Sequence, residues 1–182
     1  EPPDMNPSEM ALSYPLGTAQ PAWGHSLELA PGVHWLRMAL PFALDHINLW
    51  LLRDEIGGRA GWTVVDCCVD RPEARQQWEA AFEHALQGLP VLRVLATHMH
   101  PDHLGLAHWL CERFQAPLWI SLSDYQTGRL ASGQQDSFGG RETADFFALH
   151  GVRDSAVLDA VIGRSNYYAS MVPQLPPRYT RL

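Results

Sequence analysis

From residue 32 onward, apolar and polar positions fall into short, readable blocks. GVHWLRMAL, HINLWLLRD and GWTVVDCC are rich in β-branched and aromatic residues, the composition of half-buried strands. The segment EIGG between the last two predicts a hairpin turn. Asp70 then opens a helix as its N-cap, with Pro72 in the first turn and Glu73 at the capping-box position. Trp78, Ala81, Phe82, Ala85, Leu86 and Leu89 share one face of that helix, and Gly88 and Pro90 stop it. VLRVLAT (91–97) predicts a buried strand, and DHLGLAHWLCERF (102–114) a second helix. APLWISL (116–122) is a candidate strand of a third layer. Strand–helix–strand–helix–strand order predicts a layered α/β fold. From Asp124 to Leu182 the pattern is mostly helical, around 143–149 and 155–170, and ends in the Pro-rich PQLPPRYTRL. Residues 1–31, rich in Pro, Gly and Ser, predict an irregular arm.

Composition narrows the function. With 13 Lys and Arg against 20 Asp and Glu, the 182-residue chain carries a net charge of −7. A broad basic surface for nucleic acid is therefore not expected. No apolar run reaches the roughly 18 residues of a membrane span, since Arg37, Asp45 and His46 interrupt the stretch 33–52. Cys67, Cys68 and Cys111 are odd in number and predict small buried hydrophobes rather than a disulfide framework, which points to a reducing cytoplasm. No Gly-rich phosphate loop, G-x-S-x-G elbow or Cys–His nucleophile pair is present.

The chemistry concentrates in Thr97-His98-Met99-His100-Pro101-Asp102-His103. Imidazole nitrogen and carboxylate oxygen suit zinc and similar divalent ions, with iron or manganese as alternatives. In an extended turn, side chains two apart share a side, so His98 and His100 are placed to grip one ion. Asp102 and His103 follow as the chain curls into a helix and turn toward an adjacent position. The pattern therefore predicts two neighbouring metals at a strand's C-terminal end, where α/β sheets place their sites.

H-x-H-x-D-H resembles the signature of the metallo-β-lactamase-fold hydrolases, and the glyoxalase-II-like branch in particular. The resemblance extends upstream: DHINLWLLRD is similar to the family's second strand, and GWTVVDCCVD to its strand ending in Asp. It implies an αβ/βα sandwich with the N-terminal half over residues 32–122. Residues 123–182 would be a helical insertion leading toward a C-terminal half. It further implies that His98 and His100 bind the first metal, Asp102 and His103 the second, and that Asp66 lies beneath the site. Where the family has a small Thr-Gly pair after that Asp, this chain has Cys67 and Cys68, so Cys68 stands where Gly commonly eases a turn. The family's third His, bridging Asp and last His have no counterparts here. Beyond His103 only His108 and His150 occur, both expected to be ordinary surface or packing residues, and Asp145, Asp154 and Asp159 are expected on solvated helix faces.

The resemblance implies that the full-length protein is a hydrolase using zinc-activated water on a small ester or thioester. Asp102 would orient the water and pass its proton onward. Lactone, β-lactam and phosphodiester cleavage occur on the same fold and stay open. So do an incomplete metal-binding or interaction module, a flavodiiron-type redox protein, and completion by a C-terminal half or a second chain. Trp23, Trp35, Trp50, Trp109, Trp119 and the 140–171 region are candidates for the core or for lining an apolar pocket.

Overall fold

In the computed structural model, residues 6, 8, 11–133 and 139–182 are described. They build one seven-stranded sheet in which strand order follows the chain: β1 (Ser26–Ala30), β2 (Val33–Ala39), β3 (His46–Ile56), β4 (Arg59–Val65), β5 (Val91–Leu95), β6 (Leu118–Ile120) and β7 (Thr180–Arg181). β1 to β4 run antiparallel, and β4 to β7 are parallel. The predicted hairpin closes through Gly57 and Gly58, with φ of +60° and +77°, between the paired Ile56 and Arg59. Two consecutive positive φ values are what a tight turn matched to strand twist demands, and only glycine adopts them without strain.

Parallel strands need crossovers, and helices supply them. α1 (Pro72–Ala85) links β4 to β5. α2 (Pro101–Leu104) and α3 (Ala107–Phe114) link β5 to β6. α4 (Leu122–Gly133), α5 (Gly140–Leu149), α6 (Ser155–Ile162) and α7 (Tyr167–Met171) lie between β6 and β7. Leu36, Met38, Leu49, Leu51, Val64, Val94, Leu118 and Ile120 form one sheet face and are fully buried. With Trp78, Phe82 and Leu110 of α1 and α3, they make up a single core cluster.

Several local expectations change. Residues 26–30, expected within the irregular arm, form β1 because they pair with β2. The N-cap of α1 is Arg71, without a side-chain bond. Asp70 is engaged elsewhere, by the Arg75 guanidinium at 2.9 Å from Nε and 2.9 Å from Nη2. The helix expected over 102–114 is two helices, broken at Gly105 and Leu106. A Cβ on Gly105 would lie 2.6 Å from the Cys68 carbonyl oxygen and 2.6 Å from Val69 Cα, so the chain turns there against the 68–70 backbone. β6 joins the common sheet instead of a third layer, and the Pro-rich C-terminal stretch contributes β7. The expected helix over 155–170 divides into α6 and α7.

Candidate metal centre

The site forms where β4 and β5 end side by side. Asp66 follows β4 and Thr97–His100 follows β5, so parallel pairing brings a carboxylate beneath an imidazole-rich loop. Asp66 is buried. Its carboxylate accepts from the Thr97 N–H (2.8 Å) and hydroxyl (3.0 and 2.9 Å), and bonds His103 Nδ1 at 2.8 Å. A buried carboxylate without partners would be costly; here the Thr97 N–H and hydroxyl donate to it.

Asp66 and Cys68 hold this place with φ of +63° and +69°, conformations that cost a non-glycine residue about 1–3 kcal/mol each. The surroundings impose them. Cys67 N–H donates to the His103 carbonyl (2.9 Å), Leu106 N–H to the Cys68 carbonyl (3.0 Å), and the Trp78 indole to the Cys67 carbonyl (2.8 Å). Cys68 thus occupies a left-handed turn position, the conformation glycine adopts most easily. Cys67, Cys68 and Cys111 are free and buried. Burial pushes the Cys68 and Cys111 thiols up to about 12 and raises that of Cys67 well above its ordinary value, so all three are poor nucleophiles at neutral pH.

Above Asp66 three imidazoles crowd together. The His98 ring centroid lies 3.9 Å from that of His103 and 4.6 Å from that of His100. His98 Nε2 is 3.0 Å from His100 Nδ1, and His103 Nε2 is 3.3 Å from Asp102 Oδ2. Burial and the neighbouring His103 and His100 hold the His98 imidazole below its ordinary value, which favours the neutral, electron-donating form. Burial opposes charge on His103 too, but hydrogen bonds to Asp102 and Asp66 outweigh it and raise the group to about 9. Burial would raise the Asp102 carboxyl, yet the bond and charge of His103 leave it below the usual carboxylate range.

The five predicted site residues therefore lie around one loop, where two pairs come into contact: His98 with His100, and Asp102 with His103. Asp66 holds His103 Nδ1 and so leaves Nε2 facing Asp102, the orientation a carboxylate-braced histidine ligand uses. Among the described residues, no three His, Cys, Asp or Glu side chains converge as a complete metal site. The residues present fit a divalent ion as partial pairs, short of the four ligands tetrahedral zinc takes. His108 lies in α3 beyond the Gly105 break, and the His150 ring packs on Phe146 at 4.3 Å.

Two bracing residues escaped the sequence reading. Asp124 Oδ1 accepts the Met99 N–H at 3.1 Å, and the Tyr168 hydroxyl donates to the Met99 carbonyl at 2.5 Å. Both backbone groups at the centre of the His loop are thus fixed by side chains from α4 and α7. No local signal marks either residue, because each acts across a separation of 25 or 69 positions. The five candidate tryptophans lie elsewhere. Trp35, Trp50 and Trp119 stand on β2, β3 and β6, Trp109 beneath Arg75 on α3, and Trp23 beside Arg37.

A sheet whose adjacent parallel strands end in a buried carboxylate and a His-rich loop defines a mixed α/β protein with a candidate divalent-metal centre. Residues 43–164 match the family model of the metallo-β-lactamase superfamily, and the chain belongs to that superfamily. It is similar to a solved β-lactamase domain protein from Burkholderia ambifaria, with 51% identity and a TM-score of 0.85 over 97% of this chain. It also resembles a metallo-β-lactamase family protein from Thermus thermophilus, with 25% identity and a TM-score of 0.60 over 85% of this chain. The chain spans about half of each, 49% and 47% of their lengths. No curated protein matches it. Among the described residues, no helix is long and apolar enough to cross a membrane.

Proposed function

We propose that the chain carries the N-terminal ligands of a dinuclear zinc hydrolase acting on a small ester or thioester. His98 and His100 would hold one ion and Asp102 and His103 the other, with the further ligands supplied by the remaining half of a longer protein or by a second chain. The observation that carries this reading is Asp66, buried and bonded to both Thr97 and His103, because it orients the loop and one ligand together. When bound, zinc makes hydroxide available near neutral pH by lowering the pKa of water to about 7.

The chain's own residues do the rest. His98, held neutral, offers a lone pair without first losing a proton. His103 must give up its proton to bind, so metal competes with hydrogen ion there more than at His98. Asp102 orients the attacking water, takes its proton and returns it to the leaving thiol or alcohol as the acyl bond breaks. The glyoxalase-II-like motif favours a thioester or ester over the other bonds cleaved on this fold. A soluble cytoplasmic setting agrees with the free cysteines.

His98→Ala or Asp102→Ala in the complete protein should reduce zinc-dependent thioester hydrolysis at least ~1,000-fold, on the order of removing an essential group, while circular dichroism stays unchanged. Retained activity would refute the assigned roles. Elemental analysis showing iron, with redox turnover and no hydrolysis, would favour the redox alternative instead.

A further inference from the structure

Beside His100 lies a recess of about 140 Å³, lined by Met99, His100, Pro101, Tyr167 and Tyr168. Its walls are apolar where they face inward. The Tyr168 hydroxyl is spent on the Met99 carbonyl (2.5 Å), so Tyr168 presents its ring. Met99 has both backbone groups engaged, leaving its thioether side chain. Pro101 has no N–H. Tyr167 is 41% exposed and stands at the open side, with the Phe42 ring 6.3 Å away. Phe42 comes from the loop between β2 and β3, so a second part of the chain lies near Tyr167.

We infer that this recess binds an apolar arm, a phenyl ring or a branched chain of similar size, on the acyl side of the substrate. The inference rests on the proposed hydrolase reading, since it takes the scissile carbonyl to sit at the His98–His103 loop. Size decides between occupants: a cavity of about 150 Å³ lined by apolar side chains takes a benzene molecule, whereas an acetyl group would leave most of this space unfilled. Composition decides too, because apart from the His100 wall the lining offers no Lys, Arg, Asp or Glu to recognise a charged arm. The wall formed by His100 ties the recess to the candidate centre, so an arm seated there draws its own carbonyl toward the ligands.

The test compares phenylacetyl and acetyl thioesters of one thiol with the zinc-loaded complete protein, alongside phenylacetate titrated into the 182-residue chain and followed by methyl NMR of Met99. The phenylacetyl compound should show kcat/KM at least ~10-fold above the acetyl one, the size of effect one or two buried carbons produce. Tyr167→Ala should remove most of that preference while leaving acetyl turnover within about twofold, and Tyr167→Phe should keep it. Phenylacetate should shift the Met99 methyl resonance in the wild-type chain and much less in Tyr167→Ala.

Equal rates for the two esters would overturn the recess assignment with the hydrolase reading intact. Failure to hydrolyse either, with the Met99 shift present, would overturn the hydrolase reading and keep the apolar recess. Absence of both turnover and the shift overturns both.

Discussion

Asp66 concentrates the most consequence in one side chain. Its carboxylate joins the ends of β4 and β5 and holds His103 at Nδ1. Asp66→Asn keeps the volume but replaces one oxygen by a donor, which cannot accept from both Thr97 and His103. We expect zinc affinity, measured by competition with a chelating dye, to fall about 10–100-fold, the usual cost of losing a ligand's carboxylate brace. Stability should drop by roughly 2 kcal/mol as a charge-assisted bond is lost. Unchanged affinity would make Asp66 a purely structural residue. The His-x-His-x-Asp-His residues were legible as candidates because they cluster at a predicted strand end, and Asp66 was legible through its segment's resemblance to the family. Asp124 and Tyr168 were not, since neither belongs to a local pattern.

At the scale of elements, the break between α2 and α3 and the clamp on Met99 matter most. Gly105→Ala places a methyl group 2.6–2.7 Å from backbone atoms of Cys68, Val69 and Asp70, which cannot swing aside as a side chain would. A loss of about 3 kcal/mol in chemical denaturation is expected, at the upper end for overpacking. Tyr168→Phe should cost about 1 kcal/mol, and its combination with Asp124→Ala should be non-additive because both act on the same residue's backbone. Additive losses would mean the two bonds are independent. The expected single helix over 102–114 failed here for a tertiary reason: apolar periodicity continues through Gly105, but the approach of the 68–70 backbone bends the chain.

The whole molecule presents two unlike sheet faces. Opposite the helix-covered face, Trp35, Trp50, Val65, Leu95 and Trp119 stand in register across five strands, and each is only half-buried. Single-tryptophan variants should therefore show acrylamide quenching at Trp35, Trp50 and Trp119, and little at Trp62 or Trp78, which are 2% and 0% exposed. On the same face Asp54 accepts from Thr63 (2.5 Å) and Arg93 (2.7 Å), and Arg93 lies 4.5 Å over the Trp119 ring. The Thr63 bond, with help from Arg93 and against partial burial, holds the Asp54 carboxyl below its ordinary value. Its stabilisation is therefore present above about pH 4, the unfolded value, and is lost as pH falls through the lower folded value. Asp54→Asn should lower stability by about 1–2 kcal/mol at neutral pH, with the gap closing in acid. A difference independent of pH would assign the effect to packing.

By itself the sequence determined the kinds and order of the main elements, the hairpin, and the imidazole-rich loop, because local periodicity, turn glycines and close-set imidazoles are short-range properties. Only the tertiary structure decided that residues 26–30 and 180–181 extend the sheet, that Gly105 splits a helix, and that α4 and α7 reach back to hold Met99. Those outcomes depend on contacts between distant segments, where pairing partners and packing neighbours outweigh what any stretch of chain prefers alone.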